Sequence, residues 1–115
     1  MIKKINKIFF NFLNSINGIR EGLKEYSFIL EIIGGIFLIP FLVIINSDIY
    51  IKILIILTYL LLLAFELINT AIEKLSDKIN KDFDLDIKSI KDMSSAAVFI
   101  ILIILMILII YSFFI

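Results

Sequence analysis

Three long apolar stretches constrain the fold of this chain more than any other feature. They cover residues 28–45, 49–72 and 93–115, and each is as long as a helix that crosses the hydrocarbon core of a bilayer, which needs roughly 17 to 25 residues. Of the 115 residues, 62% are hydrophobic, and too few remain outside these stretches to build a separate soluble core. The sequence therefore predicts an all-α membrane protein with three transmembrane helices.

Residues 1–28 have a different pattern, in which lysines precede apolar residues spaced three and four positions apart. This spacing predicts an amphipathic helix that lies on the membrane surface. A cleaved signal peptide would also begin with basic residues, but it needs a continuous apolar region and a cleavage site with small residues. Four asparagines interrupt the apolar residues here, namely Asn6, Asn11, Asn14 and Asn17.

The distribution of basic residues predicts the orientation in the membrane. Of the 11 lysines and arginines, five precede the first apolar stretch, five lie in residues 74–92, and only Lys52 lies near the first turn. Because cytoplasmic segments carry the excess of basic residues, we expect the N-terminus and a polar loop at 74–92 to be cytoplasmic. The C-terminus would then lie on the far side.

The second apolar stretch continues into a row of polar side chains, here called the polar stripe: Glu66, Asn69, Glu73 and Asp77. Spacings of three, four and four residues place all four on one face of a helix. A charged group at the bilayer centre costs roughly 2.5 to 3.5 kcal/mol or more, so such groups usually face a partner or a water-filled site. The stripe is therefore a candidate functional site, although a solvated helix end would also explain Asp77 alone.

The available side chains limit the chemistry of such a site. The chain has no cysteine and no histidine, which excludes disulfides, thiol nucleophiles and imidazole bases. Carboxylates suit Mg²⁺, which is commonly held by one or two of them together with substrate phosphates. Phosphoryl transfer fits this donor set, yet neither the P-loop nor the glycine loop of protein kinases is present.

Two other classes stay open from the residues alone. One is a proton- or ion-conducting bundle lined by Glu31, Glu66 and Glu73, and the other is a non-catalytic membrane assembly module. A conducting path would need polar groups through the whole membrane, whereas the far halves of the three apolar stretches carry almost no charge. This distribution favours chemistry at the cytoplasmic surface.

Two segments carry a more specific pattern: E-x-x-N-T-A-I-E-x-x-x-D over residues 66–77 and K-D-M-S-S-A-A over residues 91–97. Together they resemble the prokaryotic diacylglycerol kinase family, which consists of small lipid kinases with three membrane spans. The resemblance covers nearly the whole chain, since the amphipathic start and the three apolar stretches occur in the same order.

The resemblance implies a homotrimer in the inner membrane that uses ATP and Mg²⁺ to phosphorylate a lipid alcohol, with no nucleic-acid partner. The family includes both diacylglycerol kinases and undecaprenol kinases. Residues 91–97 look more like the diacylglycerol branch, so 1,2-diacylglycerol is the expected substrate and phosphatidic acid the expected product. Undecaprenol is the alternative.

The resemblance also implies residue roles. Glu66 would be the catalytic base, and Glu25 and Glu73 would hold the metal. The positions expected on the nucleotide side are Asn69, Glu73, Asp77, Asp82, Asp84, Lys91 and Asp92. The positions expected to contact the lipid substrate are Glu31, Glu66 and Ser95.

Overall fold

A computed structural model describes all of residues 1–115 as four helices joined by short turns. They are α1 (Ile2–Gly22), α2 (Tyr26–Ile44), α3 (Ile49–Ile79) and α4 (Leu85–Ser112). The last three are long and apolar enough to cross a membrane. The prediction of an all-α, multi-pass membrane protein is confirmed.

The three apolar helices pack around a small interior. Its buried core consists of Leu42 from α2, Ile55 and Leu62 from α3, and Leu105 from α4. Only 11 of the 115 residues are buried within the chain. Most of the apolar surface is therefore left to contact lipid or neighbouring chains, as is usual for helices in a bilayer.

Helices α3 and α4 both continue beyond their apolar stretches, so the loop between them is shorter than the predicted loop at 74–92. Only residues 80–84 separate the two helices. Charged residues outside the membrane can remain helical when the helix is capped, and Asp84 supplies the cap of α4. Its Oδ1 accepts hydrogen bonds from the backbone N–H groups of Asp86 and Ile87, at 2.9 and 3.1 Å.

Helix α1 runs across the end of the bundle instead of along it. The molecule measures 48 × 48 × 21 Å. The packed helices α2, α3 and α4, with axes about 8–10 Å apart, form a bundle that is long in one direction only, so α1 accounts for the second long dimension. The predicted segment 1–28 is helical to Gly22, after which the chain turns into α2. A Cβ at Gly22 would overlap the Leu67 side chain, so glycine permits the close approach of α1 to α3.

A second glycine fixes the contact of α2 with α3. A Cβ at Gly35 would overlap the hydroxyl group of Tyr59, which donates a 2.9 Å hydrogen bond to the backbone carbonyl of Glu31. We expect Gly35→Val to displace Tyr59 and to lower the free energy of unfolding by about 1–3 kcal/mol, the usual cost of overpacking. Thermal unfolding of the purified protein in detergent measures this change.

The neighbouring Gly34 is the matched control for this prediction. A Cβ added there meets nothing within 4 Å, so Gly34→Ala should leave the stability unchanged or raise it slightly through the better helix propensity of alanine. Equal destabilisation by Gly34→Ala and Gly35→Val would show that the Tyr59 contact is not the cause.

Candidate active site

The polar stripe crosses from the interior of the bundle to its exposed end. Glu66 and Asn69 are buried, with 6% and 8% of their surface exposed, whereas Glu73 and Asp77 are exposed. Helix α3 is continuous over all four positions, so the predicted placement on one face is confirmed. One helix thus presents a buried carboxylate and exposed carboxylates along a single line.

Asn69 connects the stripe to α4. Its Nδ2 donates to Oε1 of Glu73 at 3.3 Å, and its Oδ1 accepts from the hydroxyl of Ser94 at 2.7 Å. A buried carboxamide needs partners for both of its ends, and here both are supplied. Asn69 therefore holds the Glu73 carboxylate in a defined orientation.

The exposed end of the stripe adjoins an open pocket of about 440 Å³ around residues 80–84. Four residues predicted on the nucleotide side line it together: Asp82, Asp84, Lys91 and Asp92. Lys91 donates a 2.5 Å hydrogen bond to Asp77, which joins this pocket to the stripe. Lys88 also lines the pocket and pairs with Asp92 at 2.6 Å. With Lys81, three lysines therefore line a pocket where phosphates could bind.

Glu31 lies at the buried end, where its carboxyl group neighbours that of Glu66. Its Oε2 atom is buried and has no hydrogen-bond partner. Leaving a buried acceptor unpaired costs about 1–3 kcal/mol, and a substrate hydroxyl that donated to this oxygen would remove that cost. Glu31 also lines a mostly apolar pocket of about 300 Å³ between α2, α3 and α4, which gives hydrocarbon a place beside the free oxygen.

Glu25 lies in the turn between α1 and α2, where its carboxylate pairs with Lys74 of α3 at 3.2 Å. The side chains are 38% and 53% exposed, respectively, and exposed ion pairs are typically worth only about 0–1 kcal/mol. The pair connects the turn to the residue directly after Glu73. A stronger ligand for either partner would separate the two side chains.

Lys74 also lines a cleft of about 490 Å³ between α1 and α3. Small residues such as Gly18 and Ala71 form much of its wall. Across the cleft, Glu21 accepts a hydrogen bond from Lys24 at 2.7 Å. That hydrogen bond, together with the Lys24 charge and a smaller effect of Lys74, holds the pKa of Glu21 below its usual value. Glu21 is thus already paired with a cation.

The donor set fits Mg²⁺ only if the substrate supplies part of the coordination. Glu25 and Glu73 offer the hard carboxylate oxygens that this ion prefers. Within the chain, however, no group of three or more acidic side chains is arranged to hold a metal. Mg²⁺ commonly takes one or two carboxylates plus phosphate oxygens, so the residues present suit a metal that arrives with a nucleotide.

Three features of the site were not expected from the sequence. Ser94, and not the exposed Ser95, contacts the stripe. Lys74 faces Glu25 and the cleft, and Tyr59 contacts the backbone of Glu31. Residues 91–97 contain both serines, and only the register of α4 against α3 decides which of them faces Asn69. The other two contacts join distant parts of the chain.

Comparison with known proteins adds one finding. The model of a family described as prokaryotic diacylglycerol kinase matches residues 13–113. No match to an individual curated protein accompanies it. The matched range includes the polar stripe, the turn that carries Glu25 and the whole of α4.

Proposed function

The chain belongs to the prokaryotic diacylglycerol kinase family, and we propose that it transfers the γ-phosphate of ATP to the hydroxyl group of 1,2-diacylglycerol, giving phosphatidic acid. Membership of the family makes it a membrane lipid kinase. The lipid, the nucleotide, the metal and the residue roles are parts of the proposal.

The observation that carries the proposal is the course of the polar stripe from a buried carboxylate to an exposed one on a single helix. A lipid kinase must bring a water-soluble phosphate donor to a hydroxyl group that stays in the membrane. The buried Glu66 and the exposed Asp77 lie eleven residues apart, or about 16 Å along the helix axis. A helical segment of this length would connect the hydrocarbon with the headgroup region, as the proposed reaction requires.

On the nucleotide side, the pocket around residues 80–84 would hold ATP, with Lys91 and Asp92 among its contacts. Glu25 and Glu73 would hold Mg²⁺, which when bound neutralises charge on the phosphate oxygens and on the leaving group. Asn69 supports this role of Glu73 because its hydrogen bond fixes the carboxylate.

At the lipid, Glu66 would act as the general base. Its carboxylate accepts the hydroxyl proton as the lipid oxygen forms a bond to the γ-phosphorus, and the bond from that phosphorus to the bridging oxygen breaks to release ADP. Burial keeps Glu66 away from bulk water, which limits transfer of the phosphate to water. The free Oε2 of Glu31 lies beside it and would orient the hydroxyl, while Ser95 contacts the headgroup.

The oligomeric state and the membrane orientation of the chain are also proposed. A homotrimer in the inner membrane would cover part of the exposed apolar surface of α2, α3 and α4. Helix α1 would lie on the cytoplasmic surface, where the loop at residues 80–84 also lies, and the C-terminus would be on the far side. The excess of basic residues in and near these segments supports this orientation.

A direct assay tests the substrate. The purified protein in mixed micelles receives γ-labelled ATP and Mg²⁺ together with either 1,2-diacylglycerol or undecaprenol. We expect label in phosphatidic acid, with a higher kcat/KM for diacylglycerol than for the polyprenol. Omitting the lipid alcohol controls for hydrolysis of ATP.

Preferential labelling of undecaprenol would contradict the proposed substrate but keep the lipid kinase activity. Labelling of neither lipid by well-folded protein would contradict the proposed reaction itself.

A further inference from the structure

Lys74 is a cation that the proposed reaction has not used, although it pairs with one of the two proposed metal ligands and follows the other in sequence. It directly follows Glu73 in α3, and its ammonium group lies 3.2 Å from the carboxylate of Glu25. On the basis of the proposed function, we propose that Lys74 binds the phosphate chain of the nucleotide, and that Glu25 holds it at the site until the nucleotide and its metal bind.

Among the cations near the site that form ion pairs, all but Lys74 have partners that the metal does not require. Lys24 pairs with Glu21, Lys88 with Asp92 and Lys91 with Asp77. Lys74 alone is paired with a carboxylate assigned to the metal. When Glu25 binds the metal, Lys74 loses its partner in the same event that brings phosphate groups to the site. The exchange replaces one anionic partner with another, so Lys74 is not left unpaired.

The surroundings of Lys74 permit this exchange. Its side chain is half exposed, and the four methylene groups of a lysine give the ammonium group reach. The cleft that it lines between α1 and α3 is walled by small residues, including Gly18, Gly22 and Ala71. Glu21 on the opposite wall has Lys24 as its stronger lysine partner, so it competes only weakly for the ammonium group of Lys74.

Lys74→Met tests the inference, because methionine removes the charge and keeps much of the apolar stem. Binding of a fluorescent ATP analogue to the full-length protein in detergent gives the dissociation constant without turnover. We expect this constant to rise about tenfold, since a charge-assisted contact to phosphate is lost. The KM for ATP should rise in parallel with little change in kcat, and the apparent affinity for Mg²⁺ should stay the same or improve because Glu25 is no longer paired.

Lys78→Met is the matched control. Lys78 lies one turn further along α3, is exposed and has no ion pair. Its replacement should change nucleotide affinity by less than about twofold, because Lys78 forms no ion pair with Glu25 or with any other residue proposed to bind the metal or the nucleotide. Lys74→Arg should recover most of the affinity, since it restores a cation that binds phosphate.

Equal nucleotide affinity in wild type and Lys74→Met would overturn the inference, as would an equal loss in Lys78→Met. A lower thermal stability of Lys74→Met with unchanged nucleotide affinity would show that Lys74 only ties α3 to the turn before α2. Failure of the proposed function is distinguishable, because the wild-type protein would then phosphorylate no lipid whatever the affinities of the variants.

Discussion

Replacing Glu66 with glutamine should lower kcat by a factor of about 10² to 10⁴, the usual contribution of a general base. Glutamine has nearly the same shape, but it cannot accept the hydroxyl proton. Because this interaction operates in the transition state, the KM for ATP and the apparent affinity for Mg²⁺ should change little. Initial rates at varied ATP and Mg²⁺ concentrations measure all three quantities.

Glu73→Gln is the comparison that makes this prediction specific. The carboxylate of Glu73 is exposed and oriented by Asn69, and its proposed task is to bind the metal. Its loss should raise the Mg²⁺ concentration needed for half-maximal rate, and excess Mg²⁺ should restore part of the activity. Equal responses of Glu66→Gln and Glu73→Gln to Mg²⁺ would show that the division of roles between the two residues is wrong.

Mixing two inactive variants should restore activity if one active site takes residues from two subunits. Within one chain no cluster of acidic residues is arranged to hold a metal, and a protomer with three spans has little room to enclose ATP, a metal and a lipid headgroup between its own helices. We therefore expect Glu66 of one subunit to work with Lys91 of a neighbour. Each variant alone, Glu66→Gln or Lys91→Ala, should have almost no activity.

The symmetry of a trimer sets the size of the recovery. In every trimer that contains both variants, one of the three sites combines an intact Glu66 with an intact Lys91 from the adjacent subunit. Random mixing in equal amounts should then give about a quarter of the wild-type specific activity, since three of every four trimers are mixed. Activity measured after co-reconstitution, with mixed trimers demonstrated by two affinity tags, tests this number.

Glu66→Gln mixed with Glu66→Ala is the matched control, because no arrangement of these two variants contains an intact Glu66. Absence of recovery in demonstrated mixed trimers of Glu66→Gln and Lys91→Ala would show that both residues act from the same subunit.

The sequence predicted those parts of the structure that depend on local pattern. Apolar length identified the three long helices, and residue spacing placed Glu66, Asn69 and the rest of the polar stripe on one side of α3. Helix ends were less predictable, because α3 continues past its apolar stretch to Ile79. Charged residues are compatible with both loop and helix, so composition did not locate the turn at residues 80–84. Asp84 ends this turn and caps the N-terminus of α4.

Contacts between distant segments could not be predicted from pattern. The pair of Glu25 with Lys74 depends on how the turn after α1 approaches α3, where Gly22 lies against the side chain of Leu67. Likewise, the sequence does not predict that Oε2 of Glu31 lacks a hydrogen-bond partner. Such features follow from the relative placement of helices, which neither hydropathy nor spacing determines.

The unbroken course of α3 has a consequence for how a lipid would be selected. Its 31 residues contain neither glycine nor proline, and at 1.5 Å per residue they extend about 46 Å, well beyond the roughly 30 Å hydrocarbon core. The distance of Glu66 from each end of α3 is therefore fixed by an unbroken helix. Under the proposed reaction, the enzyme would select a lipid alcohol whose hydroxyl group lies at the depth of Glu66. Two lipids with similar headgroups but different depths in the bilayer would then be distinguished by that depth alone.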